Sequence, residues 1–171
     1  EKMTVYRFRG YWKDVGTIDS LWEANMDMLS TDNGIDLYDP DWPIYARSPI
    51  RPPHFTGPAA NVDHAMLTGG CEVYGTVENS VLFHSVIVEE RAVVRNSILM
   101  PGTVVKSGAV VEYAIIAENT VIGEGTRVGA VPEAGGELGI AVVAQNLKVG
   151  AGAVVAPKAM ITRNVKGGAV K

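Results

Sequence analysis

The 171-residue chain has a single cysteine, Cys71, so no disulfide can form within it. A disulfide-stapled fold is thereby excluded, and a reducing, cytoplasmic setting is expected. No apolar run is long enough to span a bilayer and no signal peptide opens the sequence, so no membrane role is expected. Positive charge is short as well: Lys and Arg number 15 against 19 Asp and Glu, for a formal net charge of −4. With no basic run, that balance argues against nucleic acid as a partner. The sequence starts at Glu1 in mid-motif, and a piece of a larger protein is expected.

What the chain does have is a repeat. Blocks with a small or β-branched first residue and an aliphatic third residue run from Ser80-Val81-Leu82-Phe83 to Thr126-Arg127-Val128-Gly129. Their third positions are Leu82, Val88, Val94, Leu99, Val105, Val111, Ile116, Ile122 and Val128. The steps are six, six and five, so the full period is 17 residues. Hexads with aliphatics at one phase predict a parallel β-helix, each hexad a short strand plus a corner and three hexads a triangular coil. Successive coils would stack at about 4.8 Å, with the third-position side chains in inward columns. Leu82, Leu99 and Ile116 form one column, Val88, Val105 and Ile122 a second, and Val94, Val111 and Val128 a third. Hexad corners this short imply left-handed coiling, against the usual crossover rule. Gly102, Gly108, Gly123, Gly125 and Gly129 suit corners that need a positive φ.

Residues 130–140 carry no hexad phase and read as a loop excursion. The phase resumes at Ala141-Val142-Val143 and continues through Ala159-Met160-Ile161. Cys71, Val73 and Val77 read as an irregular opening coil, Cys71 pointing inward as a small apolar residue. The first part of the chain is of another kind. Residues 4–13 alternate like a strand. Thr17 can cap a helix over 18–29, with Asp19 in the first turn and Ile18, Leu21, Trp22, Asn25 and Leu29 on one face. A stretch with Pro40, Pro43, Pro49, Pro52, Pro53 and Pro58 follows. It is expected to be a stiff linker whose aromatics, Trp42, Tyr45 and Phe55, pack along a surface. The organisation expected is 1–30, the strand and helix that end an α/β domain; 31–62, the linker; and 63–171, the β-helix.

Three stretches carry a family resemblance. Residues 11–29, Tyr11-Trp12-Lys13-Asp14-Val15-Gly16-Thr17 through Trp22-Glu23-Ala24-Asn25 to Leu29, resemble the end of the catalytic domain of bacterial glucose-1-phosphate adenylyltransferase. Leu37-Tyr38-Asp39-Pro40-Asp41-Trp42-Pro43-Ile44 is similar to that family's linker. Gly69-Gly70-Cys71-Glu72-Val73-Tyr74-Gly75 resembles the start of its β-helix. Enzymes making GDP-mannose or dTDP-glucose usually lack the Thr17 and Trp22–Asn25 elements. The resemblance implies a left-handed β-helix joined to a remnant of a nucleotidyltransferase domain. It also implies that the whole enzyme, a cytoplasmic homotetramer in glycogen synthesis, joins ATP and glucose 1-phosphate into ADP-glucose and pyrophosphate. The family's glycine-rich phosphate loop has no match here, so this chain alone is expected to be inactive.

The same resemblance assigns Asp14 as a catalytic ligand of Mg²⁺ and Trp12 as a wall of the sugar-phosphate site. Gln145 stands where many members carry a cation for an anionic allosteric effector, and Lys148 can substitute for it. Each residue also has a plainer reading: Asp14 as a turn former before a helix, Trp12 as core. Two other functions stay open. A β-helix acyltransferase using CoA would need a general base at a groove between subunits, for which His84 is the candidate. A non-catalytic regulatory subunit would keep the scaffold and lose the chemistry.

Overall fold

The computed structural model describes residues 2–30, 32–45 and 49–170. Its main body is a left-handed parallel β-helix of about seven turns. The expected phase is the observed one. All the third-position aliphatics from Leu82 to Val128 are at most 1% exposed. Strand register stacks them in the expected columns. Leu82 pairs with Leu99, Leu99 with Ile116, Ile116 with Val143 and Val143 with Ile161. Val73, Val88, Val105, Ile122 and Val149 form the second column. Val77, Val94, Val111, Val128 and Val155 form the third, continued by Val170. Each such side chain taken fully from water contributes roughly 1.5–3 kcal/mol.

The first positions are buried too, and where they are polar the hydroxyl mends the ladder. At the five-residue step, Ser80 Oγ donates to Glu78 O at 2.7 Å and accepts from Ser97 N at 3.1 Å. One rung on, Ser97 Oγ donates to Arg95 O and accepts from Ala114 N. A short corner leaves a main-chain N–H without a strand carbonyl, and the serine supplies the acceptor that a buried donor requires. Thr103, Thr120 and Thr126 donate to Met100, Ala144 and Gly150 carbonyls, each at 2.8 Å.

Gly102, Gly108, Gly125 and Gly129 have positive φ, as expected of corners. Gly123 does not, and its reason is proximity: a Cβ there would lie 2.6 Å from the Val149 carbonyl oxygen. Asn96, Asn119 and Asn146 fill equivalent corners at φ between 48° and 60°, a region asparagine tolerates.

The parallel ladder starts inside the stretch expected to be linker. β1 (Phe55–Thr56) pairs with β3 (Glu72–Val73). β2 (Asn61–Leu67) runs beside β4 (Thr76–Leu82) from Asn61↔Thr76 to Leu67↔Leu82. Cys71 is buried in this opening coil, and burial pushes its thiol pKa up. The excursion at 130–140 forms no strand, and the ladder resumes at Ala141–Val143.

Two expectations for the first part of the chain are not met. Residues 4–13 form no strand: Val5, Tyr6 and Phe8 are 61–86% exposed. Alternation makes a strand only beside a partner, and no described residue pairs with this segment. Nor do the linker aromatics pack: Trp42 and Tyr45 are 82% and 92% exposed. Phe55 alone of the three makes an aromatic contact, its ring centroid 5.8 Å from that of Tyr74.

The helix is present. α1 (Ile18–Asp27) is capped by Thr17, whose hydroxyl accepts from Ser20 N while the Ser20 hydroxyl accepts from Thr17 N. It stops two residues short of the expected end, with Met28 as C-cap. It lies along the outside of one β-helix face. Leu21, Trp22 and Met26 pack on Ile98, Ile115 and Ile140. The Trp22 indole N–H donates to Asn96 O at 2.7 Å, and its ring stacks on Tyr113. This explains why the outward residues Ile98 and Ile115 are buried, at 1% and 3%.

The phase makes a direct prediction. Val105→Asp places a carboxylate in a dry tube without a partner and should cost several kcal/mol or abolish folding. Lys106→Asp breaks a half-exposed pair with Glu89 (2.6 Å) and should cost about 1 kcal/mol or less. Urea titrations followed by circular dichroism check both, and equal damage would refute the assigned phase.

Candidate functional site

The segment before α1 is tied to the helix by alternate side chains. Lys13 Nζ lies 2.9 Å from Asp27 Oδ2 and 3.1 Å from Glu23 Oε2. The Tyr11 hydroxyl donates to the same Asp27 oxygen at 2.9 Å. The hydrogen bond from Lys13 holds the Asp27 carboxyl below its usual range, and the bond to Asp27 holds the Lys13 ammonium above its own. Desolvation, then the bond to Asp27, raises the Tyr11 phenol. With Tyr11 and Lys13 turned to the helix, the alternate residues Trp12 and Asp14 are both exposed, Trp12 at 76%.

Trp12 and Asp14 thus share one open surface next to the capped start of α1. Trp12 is exposed within this chain. Asp14 offers a hard carboxylate oxygen of the type Mg²⁺ takes. Among the described residues no group of three or more His, Cys, Asp and Glu could hold a metal by itself. A lone carboxylate such as this could supply at most one ligand of a shared site, the rest coming from phosphate oxygens, water and other residues.

Gln145 and Lys148 lie on a different element. Gln145 is exposed at the corner after Ala141–Val143, and Lys148 is exposed in the strand Lys148–Val149. Main-chain bonds at successive corners, Gly102 N to His84 O, Asn119 N to Pro101 O and Asn146 N to Glu118 O, place Gln145 in one column with His84. In that column Pro101 stands next to His84 and Glu118 two rungs away. The buried Nδ1 of His84 has no hydrogen-bond partner among the described residues.

Sequence reasoning missed the docking of α1 on the β-helix. A signal was present: Ile98 and Ile115 put large aliphatics at outward positions. It also missed a cavity of about 620 Å³ below the C-terminal end of α1, lined by Met28, Leu29, Ile35, Tyr38, His64 and Met66 among others. His64 spans its edge, its ring nitrogens 2.9 Å from Asn79 Oδ1 and 3.1 Å from Leu29 O.

Comparison with known proteins bears on both halves. Residues 54–137 match the family model described as GlmU-like, C-terminal hexapeptide, and residues 1–31 match that of nucleotidyl transferase. Glucose-1-phosphate adenylyltransferase of Clostridium botulinum (strain Eklund 17B / Type B) is 52% identical over 93 residues, 54% of this chain and 24% of the relative. That of Geobacillus stearothermophilus is 52% identical over 90 residues, 53% of this chain and 23% of the relative. The enzyme of Acetivibrio thermocellus is 47% identical over 92 residues. Over about half its length, this chain is similar to bacterial glucose-1-phosphate adenylyltransferase. The matches span about a quarter of those relatives' own length.

The tie between the Asp14 segment and α1 should depend on pH at both extremes. Because the Asp27 pKa is depressed, its contribution is complete above the ordinary Asp value of about 3.9 and is lost as pH falls through the lower folded pKa. Because the Lys13 pKa is raised, its contribution is complete below about 10.4 and is lost as pH rises through the higher folded value. The Tyr11 ring resonances should stay constant between about pH 5 and 9 and shift outside that range. Asp27→Asn should remove the acid limb, and a limb that persists in that variant would show another group to be responsible.

Proposed function

We propose that this chain is the C-terminal portion of a glucose-1-phosphate adenylyltransferase, in which the β-helix serves oligomerisation and regulation. The observation that carries this reading is a covalent junction. A segment matching nucleotidyl transferase runs into a hexapeptide β-helix in a chain about half of which is near 50% identical to enzymes of that name. The whole enzyme would transfer the adenylyl group of ATP to the phosphate of glucose 1-phosphate, giving ADP-glucose for glycogen synthesis and releasing pyrophosphate. It would act as a cytoplasmic homotetramer.

In that enzyme Asp14 would be one carboxylate ligand of Mg²⁺, and Trp12 would border the sugar phosphate. The ion, when bound, neutralises charge building on phosphate oxygens. The chain's own part is to aim the Asp14 carboxylate: the alternation that turns Lys13 onto Asp27 leaves Asp14 facing outward. Gln145 and Lys148 would contact an anionic effector on the β-helix.

Two measurements test the reading. The isolated chain should form no ADP-glucose from ATP and glucose 1-phosphate. In the full-length enzyme, Asp14→Asn should lower kcat at least about a hundredfold with folding intact. Near-normal turnover of that variant at saturating Mg²⁺ would remove Asp14 from the metal site.

A further inference from the structure

Four left-handed corners stack in one column beside α1. His64, Asn79, Asn96 and Tyr113 all hold φ between 44° and 48°. Register aligns them: Asp63 pairs with Glu78, Glu78 with Arg95 and Arg95 with Glu112, each one residue before a corner. The helix and the turn after it meet this column rung by rung. The Trp22 ring stacks on Tyr113 while its indole N–H donates to Asn96 O. Asn79 Nδ2 lies 4.0 Å from Met26 Sδ, and His64 Nε2 lies 3.1 Å from Leu29 O. Residues 22, 26 and 29 share one helix face. Seven helical residues rise about 10.5 Å and two rungs span about 9.6 Å, so the contacts at Asn96 and at His64 fall in step.

The last of these contacts is one hydrogen short when the ring is neutral. His64 Nδ1 lies 2.9 Å from Asn79 Oδ1, and Nε2 faces the Leu29 carbonyl. That carbonyl only accepts. The Asn79 oxygen faces the ring because the amide nitrogen donates to Asn96 Oδ1 at 2.6 Å. A neutral imidazole has one N–H, and only the imidazolium donates from both nitrogens. His64 is exposed and open to proton exchange with solvent. The titratable groups on the elements around it are Asp27 on α1, Asp32, Asp36 and Tyr38 in the segment after it, Asp63 on β2 and Glu78 on β4. Of these, Asp27 is held by Lys13 and Tyr11, and Glu78 by Arg95. Carboxylates and phenols ordinarily exchange protons outside about pH 5 to 8, and imidazole within it.

We propose that His64 is a proton-operated latch between the end of α1 and the β-helix. The charged ring ties the Leu29 carbonyl to the Asn79 corner. Loss of the proton leaves one N–H for two acceptors, so one of the two ties opens and the link from helix to rung is broken. The Trp22 contacts use no histidine, so the start of the helix stays docked while its end is let go. Leu29 is a wall of the 620 Å³ cavity that His64 borders. The segment that forms another wall moves with the helix end, because Asn33 Nδ2 donates to Asp27 O and Asn33 Oδ1 accepts from Ile35 N. The cavity therefore closes on acidification and loosens as pH rises. The latch does not depend on the adenylyl-transfer reading.

The test is a titration of the 171-residue chain from about pH 5 to 8.5, followed by magnetic resonance at the His64 ring nitrogens, the Ser30 amide and the Asn79 side chain. The Ser30 amide shares a peptide group with the Leu29 carbonyl and reports its hydrogen bonding. One transition common to all three is expected. Hydrogen-exchange protection at Leu29 and Ser30, corrected for the intrinsic effect of pH, should be about threefold lower on the alkaline side. His64→Asn suits a left-handed corner, as Asn79 does, but neither titrates nor reaches Leu29. It should abolish the Ser30 transition and hold protection at the alkaline level throughout. Asp36→Asn and Asp63→Asn should leave the transition in place. Circular dichroism of each variant separates a lost latch from a lost fold, and the comparison of ring with Ser30 in the unaltered chain stands without any variant. A ring that titrates without moving Ser30 would overturn the latch. So would a Ser30 transition that persists in His64→Asn, or a neutral ring at pH 5 served by an Asn79 amide turned to donate to it.

Discussion

Everything else in this molecule hangs on the inward stacking of one aliphatic per hexad. A tube of two- and three-residue strands has little local structure to rely on, since a two-residue strand cannot persist alone. What holds it is that each inward side chain meets its counterpart on the next rung, so that the column is buried only when rungs are in register. A slip of one residue would turn Leu99 or Val105 outward and a partner such as Lys106 inward. The cost of that exchange, a desolvated ammonium against a lost aliphatic, is what makes the register unique. Corners are then subordinate: glycine, asparagine and even Tyr113 (φ 48°) are held at positive φ because the columns on either side fix where the chain must turn.

The second consequence of the same geometry lies outside the tube. A β-helix face is flat, and its outward positions are ordinarily polar or small. On one face they are Val81, Ile98 and Ile115, all buried. Trp22 and Leu21 of α1 cover Ile98 and Ile115, and the Trp22 indole closes the contact by bonding the Asn96 carbonyl at a corner. The bond from the half-buried indole N–H fixes where along the face the helix can sit. The segment carrying Trp12 and Asp14 is thereby held against the β-helix through Lys13, Asp27 and the helix between them.

How much of this could be read in the sequence differs from part to part. The columns, the serine and threonine first positions and the cap at Thr17 were legible because each is a local rule repeated or satisfied within a few residues. The start of the ladder at Phe55 was not, since proline-rich flanks obscure a two-residue strand that exists only by pairing with Glu72–Val73. The strand expected over 4–13 shows the opposite error: alternation describes a segment able to pair, while pairing needs an edge. For the site, the sequence offered Asp14 and Trp12 by resemblance, and the side-chain alternation around Lys13 gives their exposure a physical reason. The approach of Asn164 to Lys148 was out of reach, because it depends on a corner of four residues, 161 to 165, where the preceding rung has six, 143 to 149.

The segment between the coils also joins two distant parts of the chain. The excursion at 130–140 leaves the ladder and returns with Leu138 and Ile140 against the stripe that α1 covers, while Glu137 holds Lys158 on the last coils. A cleft of about 270 Å³ is lined there by Ile18 and Asp19 of α1, Leu138, Ile140, Val142, Lys158 and Met160. The start of α1 and the last coils are therefore both in contact with one segment that, among the described residues, no strand pairing holds. Contiguity becomes coupling when such an element has two arrangements that both sites bias. The excursion is suited to that part, because moving it breaks side-chain packing and one exposed ion pair, whereas moving any rung would break a buried column. The loop, held by side chains and not by a ladder, is thus the part of this face that could shift without breaking a column.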